Sequence, residues 1–245
     1  MGNFRLLKCG QPVVVPSNGK VEVLLASLAL RHGSPLPRDT LLSLLWPNHD
    51  PVLAGQSLNS LVYTLRKQFA DVLGGATPIL QGEGYYRLNT EAGVGVDMVQ
   101  FEALVEEGNR QLRHDDLPAA ISTYCRAVDV YQGDLWSSID VFEVMERERL
   151  RACYLNVLAQ LADYHFAQQM YSVCLDFAQR LLTSDPCRED AHRLVMRCNV
   201  RLGERAQALR QYQLCTRILR DEFDAAPERA TVTLYEQVRL HPDSV

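Results

Sequence analysis

From Ala54 to Leu73 the chain reads AGQSLNSLVYTLRKQFADVL. Ala54, Leu58, Leu61, Val62, Leu65, Phe69 and Val72 recur at i, i+3, i+4 and i+7, the spacing that gathers apolar side chains on one stripe of an α-helix. The other face carries Gln56, Asn59, Ser60, Tyr63, Thr64, Arg66 and Lys67, with no carboxylate before Asp71. Such side chains donate to phosphates and base edges. The pattern predicts a long helix with one edge in a core and the other free to lie in a groove of a nucleic-acid duplex.

The flanking patterns fit that helix into a known order of elements. Short β-prone runs at 4–8 and 12–15, split by Cys9-Gly10-Gln11, predict an opening hairpin. Val21, Leu24, Leu25, Leu28 and Ala29 then repeat at helical spacing, with Ser17 as the expected cap and Gly33 as the stop. A second, shorter helix follows in DTLLSLLWP, capped by Asp39 or Ser34, ended by Pro47, with Leu41, Leu42, Leu45 and Trp46 on its buried side. Residues 79–81 and 85–88 are strand-like and are joined by Gly82-Glu83-Gly84, where glycines permit a tight turn. Helix, helix, long helix, hairpin is the order of a winged helix-turn-helix. In that arrangement the long helix reads the major groove, Tyr85 and Arg87 on the wing reach neighbouring backbone, and Lys20 is a further phosphate contact.

After Glu91–Gly95 the pattern changes, and the expected domains are 1–95 and 96–245. Asp97 can cap a helix on which Phe101, Leu104, Val105 and Leu112 align. Helical periods continue over 117–131, 141–168, 170–183, 188–202, 206–223 and 231–240, with no strand signal between them. Aligning Cys174 with Ala208, Leu175 with Leu209 and Ala178 with Tyr212 exposes an offset of 34 residues, the tetratricopeptide period. Asp185-Pro186 and Gly203 fall at the turns. The second half is expected to be an all-α, tetratricopeptide-like array with a concave face, so that the chain as a whole is mainly α.

Charge separates the halves. Residues 1–95 hold 8 Lys+Arg against 6 Asp+Glu, a net of +2, and the rest hold 17 against 24, a net of −7. A mildly basic front needs locally placed cations to bind DNA, and its binding must depend on salt. The 47% apolar and 22% charged composition is that of a folded protein. Seven cysteines, an odd number with no C-x-x-C pair, suggest buried free thiols and no zinc ribbon. With no leader-like start and no apolar run approaching 18 residues, the expectation is a soluble, cytoplasmic protein without membrane association.

Enzyme chemistry finds no foothold. Glu143, Glu146, Arg147, Glu148, Arg149 and Arg151 interleave on one helix and are expected to form i, i+3 and i, i+4 ion pairs on a solvated face. The six histidines show neither H-x-x-x-H nor H-E-x-x-H spacing, and no nucleophile elbow, Walker lysine loop or dinucleotide fingerprint occurs. No cofactor and no metal are expected.

Four pieces in order, GKVEVLLASLAL, RDTLLSLLWP, LNSLVYTLRKQF and GEGYYRL, resemble the response-regulator type of winged helix found at the start of the Streptomyces antibiotic regulatory proteins. YQGDLW, EVMERERLRACYL, LLTSDPCREDAHRLVMRCNVRLGERAQALRQYQLC and ERATVTLYEQV resemble the bacterial transcriptional activator domain, so that the likeness runs over about residues 1–240. The resemblance implies a transcriptional activator that binds direct repeats near promoters and contacts RNA polymerase, with the Arg66-Lys67 helix in the major groove and Gly84–Leu88 as wing. It implies an architectural role for Asp185, Pro186, Arg188 and Glu189, as a turn and a capped helix start. Tyr63 and Thr64 stand where relatives often carry Arg or Lys, which makes a homodimer or a protein partner a natural source of affinity. Two other readings remain open: a tetratricopeptide-like interaction scaffold with little DNA binding, and the regulatory front of a larger ATP-dependent regulator.

Overall fold

The computed structural model describes residues 2, 4–13, 19–31, 34–134 and 141–245. The expectations at Val14, Val15, Ser17, Gly33 and the Leu135-Trp136 end of YQGDLW lie outside the described residues. The chain divides into two compact units, Met1–Leu104 with Asp129–Glu148, and Val105–Val128 with Arg149–Val245.

The first unit opens with a small hairpin, β1 (Leu7–Lys8) and β2 (Gln11–Pro12), paired antiparallel through Leu7↔Pro12 and Lys8↔Gln11. Cys9 and Gly10 both take positive φ at its turn, as a two-residue connection of this hand requires. Helix α1 (Lys20–Leu30) follows Gly19 and turns Val21, Leu24, Leu25 and Leu28 inward. Strand β3 (Leu36–Pro37) leads directly into α2 (Arg38–Leu45). Neither Asp39 nor Ser34 caps α2: Pro37 occupies the cap position without a side-chain bond, and the Arg38 amide donates instead to the Gly84 carbonyl at 2.8 Å. Asp39 sits inside the first turn, where its charge suits the helix dipole.

Helix α3 (Pro51–Phe69) starts three residues ahead of Ala54, the first member of the apolar stripe. Pro51 fits the first turn, and the Asp50 carboxylate accepts from the Val52 and Leu53 amides at 2.8 and 3.2 Å. Ala54, Leu58, Leu65 and Phe69 are buried, with Leu61 and Val62 half-buried at the stripe's edge. Burying each leucine contributes about 2 kcal/mol. The helix stops at Phe69 instead of Leu73, because Gly74 and Gly75 with positive φ draw the chain into turns; Val72 therefore leaves the stripe and is 39% exposed.

Strands β4 (Ile79–Gly82) and β5 (Tyr85–Leu88) form the wing, with Glu83 and Gly84 at positive φ in the turn. The sheet order is β3-β5-β4, all antiparallel, so the wing's second strand is central and β3 is a third strand that no sequence period announced. Alternation along β5 buries Tyr86 and Leu88 and exposes Tyr85 and Arg87. Leu24, Leu41, Leu45, Leu58, Leu65, Ile79 and Tyr86 meet in one core. Trp46, expected among the buried residues of α2, is only partly buried against that core.

Helix α4 (Asp97–Arg113) begins at Asp97, whose carboxylate accepts from the Met98 amide, and it is followed by α5 (Leu117–Val130) and α6 (Val141–Ala167). In the second unit α7 (Tyr171–Ser184), α8 (Glu189–Arg201), α9 (Arg205–Phe223) and α10 (Arg229–Leu240) succeed one another as packed neighbours, within two residues of the predicted limits. The 34-residue offset is visible in the fold: Cys174 on α7 and Ala208 on α9 are both fully buried. Small side chains at Ala120, Ala127, Ala162, Ala178 and Ala208, all fully buried, let these helices approach closely.

One local expectation in this half needs correction. The α8 start is not capped by Arg188, which ion-pairs with Asp190, while the Asp185 carboxylate accepts from the Cys187 amide within the turn. Glu189 instead reaches across to α10, accepting from the Glu228 amide at 2.9 and 3.0 Å and from the Thr231 hydroxyl at 2.5 Å. On α6, Arg147 pairs with its neighbour Glu148 at 3.2 Å, and Arg151 donates to the Ser184 carbonyl at the end of α7, so this face has a packing role besides its solvated one.

Candidate nucleic-acid interface

Because the apolar stripe of α3 is fixed in the core, the opposite side is obliged to face outward. Gln56, Asn59, Ser60, Tyr63, Thr64, Arg66 and Lys67 are all exposed, Tyr63 to 67%. The helix contains no acidic residue. Thr64 donates its hydroxyl to the Ser60 carbonyl at 2.9 Å while the residue stays exposed. Arg66 and Lys67 occupy the last turn, where cations also suit the helix dipole. Beyond the helix end, Asp71 is paired with Lys8 at 2.7 Å. That hydrogen bond holds the Asp71 carboxyl below the usual carboxylate range and offsets the negative charge nearest the cationic end of α3.

Wing residues Tyr85 and Arg87 project from the same side of β5, Tyr85 44% exposed and Arg87 4.0 Å from Glu91. The two lie two residues apart on one strand face, as pleating requires. Lys20 is placed differently. Its ammonium donates to the Leu45 carbonyl at the end of α2 and sits 5.9 Å from the Trp46 ring centroid, so its charge is engaged by the α2 terminus. Beneath the wing, burial pushes the Tyr86 hydroxyl's pKa up, and the hydroxyl has no hydrogen-bond partner among the described residues.

Apolar spacing gives no prominence to Arg38. Its guanidinium lies over Gly55 of α3, where a Cβ would overlap Nη2 and lie 3.3 Å from Cζ. A cation at the start of a short helix does not by itself announce such a contact; the signal for it is Gly55, a glycine inside a helix of otherwise strong period.

Among the described residues no group of three or more His, Cys, Asp or Glu side chains could hold a metal ion, and no helix is long and apolar enough to cross a membrane. Comparison with known sequences matches residues 96–239 to the profile of the bacterial transcriptional activator domain. The chain belongs to the bacterial transcriptional activator domain family. As in the Streptomyces antibiotic regulatory proteins, its family domain follows a winged helix. Regulatory protein DnrI of Streptomyces peucetius is 26% identical over 224 residues, covering 87% of this chain and 81% of DnrI. Regulatory protein AfsR of Streptomyces coelicolor is 24% identical over 239 residues, covering 97% of this chain but 24% of AfsR, so the chain spans about a quarter of that relative. Among solved structures, Mycobacterium tuberculosis EmbR in complex with a low-affinity phosphopeptide superposes with a TM-score of 0.70 over 96% of this chain and 62% of EmbR at 20% identity, which places the family member's fold as winged helix then helical array.

Proposed function

We propose that this family member is a sequence-specific DNA-binding transcriptional activator, acting in the cytoplasm without catalysis of its own. It would bind direct repeats near promoters, as a homodimer on adjacent sites, and contact RNA polymerase through its acidic helical half. The observation that carries the reading is the outward side of α3: seven exposed polar or cationic side chains on a helix with no carboxylate. Arg66 and Lys67 supply charge, Gln56, Asn59, Ser60, Tyr63 and Thr64 supply readout of base edges, and Tyr85 and Arg87 hold neighbouring backbone. Lys20 would join them as a phosphate contact only by leaving the Leu45 carbonyl.

The test is a salt series of anisotropy titrations with a labelled duplex from the protein's own promoter region. Arg66→Ala with Lys67→Ala should reduce the log–log salt slope by about 1.8 and weaken binding roughly thirty-fold at about 0.15 M salt. An unchanged slope removes both residues from the interface. The uncharged Tyr63-Thr64 position and the net of only +2 over residues 1–95 favour a second reading, a tetratricopeptide-like scaffold. Weak, sequence-blind retention of the duplex by the parent protein would select it.

A further inference from the structure

We propose that Arg38 is a phosphate-binding residue of this interface, seated between the groove-facing helix and the wing in a notch that Gly55 leaves open. The inference rests on the DNA-binding reading above and extends it to a residue on a different element.

Gly55 is the first observation. It lies inside α3 among residues of helical conformation, and its φ is not in the left-handed region, so the backbone there does not demand glycine. What demands it is space. A side chain at this position would run into the Arg38 guanidinium, whose Cζ and Nε would lie 3.3 and 3.8 Å from the added Cβ. The guanidinium is thus laid against the bare helix backbone. Helical spacing puts Gly55 one turn before Asn59 and three turns before Arg66, on the same flank of α3. At its other end Arg38 is fixed to the wing, its amide bonded to the Gly84 carbonyl at 2.8 Å.

Electrostatics point the same way. None of the ion pairs among the described residues involves Arg38, and none of their side-chain hydrogen bonds starts from its guanidinium. Arg38 is only half-buried, so its donors remain within reach of solvent. A planar cation with five donors, held without a carboxylate between two elements that both face a duplex, matches a phosphate in shape and charge. Removing its side chain would forfeit one counterion-releasing contact.

Two substitutions examine this separately from the main reading. Arg38→Ala deletes the cation; Gly55→Ala keeps it and displaces it from the notch. In anisotropy titrations with a fluorescein-labelled duplex from the protein's own promoter region, Arg38→Ala should lower the salt slope by about 0.9 and weaken binding roughly five-fold at about 0.15 M salt. Gly55→Ala should weaken binding while its melting temperature stays at or above that of the parent. Unchanged slope and affinity in Arg38→Ala, alongside a reduced slope in the Arg66→Ala, Lys67→Ala protein, would overturn the Arg38 assignment and leave the DNA-binding reading standing. A Gly55→Ala protein that melts well below the parent would overturn the notch. No saturable binding by the parent would sink both.

Discussion

Replacing Gly108 by alanine should destabilise the helical unit, although alanine is the better helix former. Gly108 lies on α4 opposite Tyr124 of α5, and a Cβ there would come 2.7 Å from Cδ1 and 3.0 Å from Cζ of the Tyr124 ring. The ring cannot easily retreat: it is fully buried, its hydroxyl donates to Asn109 Oδ1 at 2.7 Å, and Ala120 and Ala127 on its own helix are fully buried as well. Overpacking of this kind costs about 1–3 kcal/mol, against which alanine returns up to about 1 kcal/mol of helix propensity. The net is a loss of about 1–2 kcal/mol, or a fall in melting temperature of roughly 2–8 °C for a chain of this size. Urea unfolding followed by far-UV circular dichroism gives the free energy, and a thermal melt gives the shift. A second substitution, Tyr124→Leu, should remove the clash, so that Gly108→Ala becomes neutral or stabilising in that background. If Gly108→Ala alone melts at or above the parent temperature, the reasoning from ring contact is wrong.

The second unit offers further checks. Glu189→Ala strips three acceptor contacts from the start of α10 and should cost about 1–2 kcal/mol, seen as faster amide exchange in Arg229–Leu240 with α7 little changed; equal exchange in parent and variant would contradict the bridge. Burial holds the His192 imidazole below its ordinary pKa, outweighing the opposing Pro186 carbonyl, Glu189 and Asp190. The unfolded chain therefore takes up more protons there as pH falls, so stability should be complete above about pH 6.5 and decline below it. His192→Gln should flatten that decline in urea midpoints, leaving a residual slope from His165, which burial shifts in the same direction. A midpoint that rises on acidification would contradict the sign.

Much of the architecture can be read from local periods, because an amphipathic helix records in its own residues which side it buries. The α3 stripe, the α7–α10 succession and the 34-residue offset all express that rule. What escapes is pairing between distant residues. Strand β3 is two residues long and includes a proline, so it has no period of its own, and only its partner β5 makes it a strand. The end of α3 is hard to place from spacing, because Val72 continues the apolar period while the chain turns toward Gly74 and Gly75, both at positive φ. In the candidate site, the outward face of α3 follows from the stripe by exclusion. The engagement of Lys20 by the α2 terminus and the seat of Arg38 on Gly55 depend on side chains folding back across helices, which spacing does not encode.

The central position of β5 bears on how quickly a duplex could be engaged. Because that strand is bonded to β4 on one side and β3 on the other, and Gly84 is tethered to Arg38, the hairpin tip has already surrendered its freedom before any partner arrives. Docking then forfeits little conformational entropy at this tip. The same bracing means that transplanting residues 79–88 alone into another scaffold would carry the shape of the loop without its stiffness, since the stiffness belongs to the connection between the first two helices.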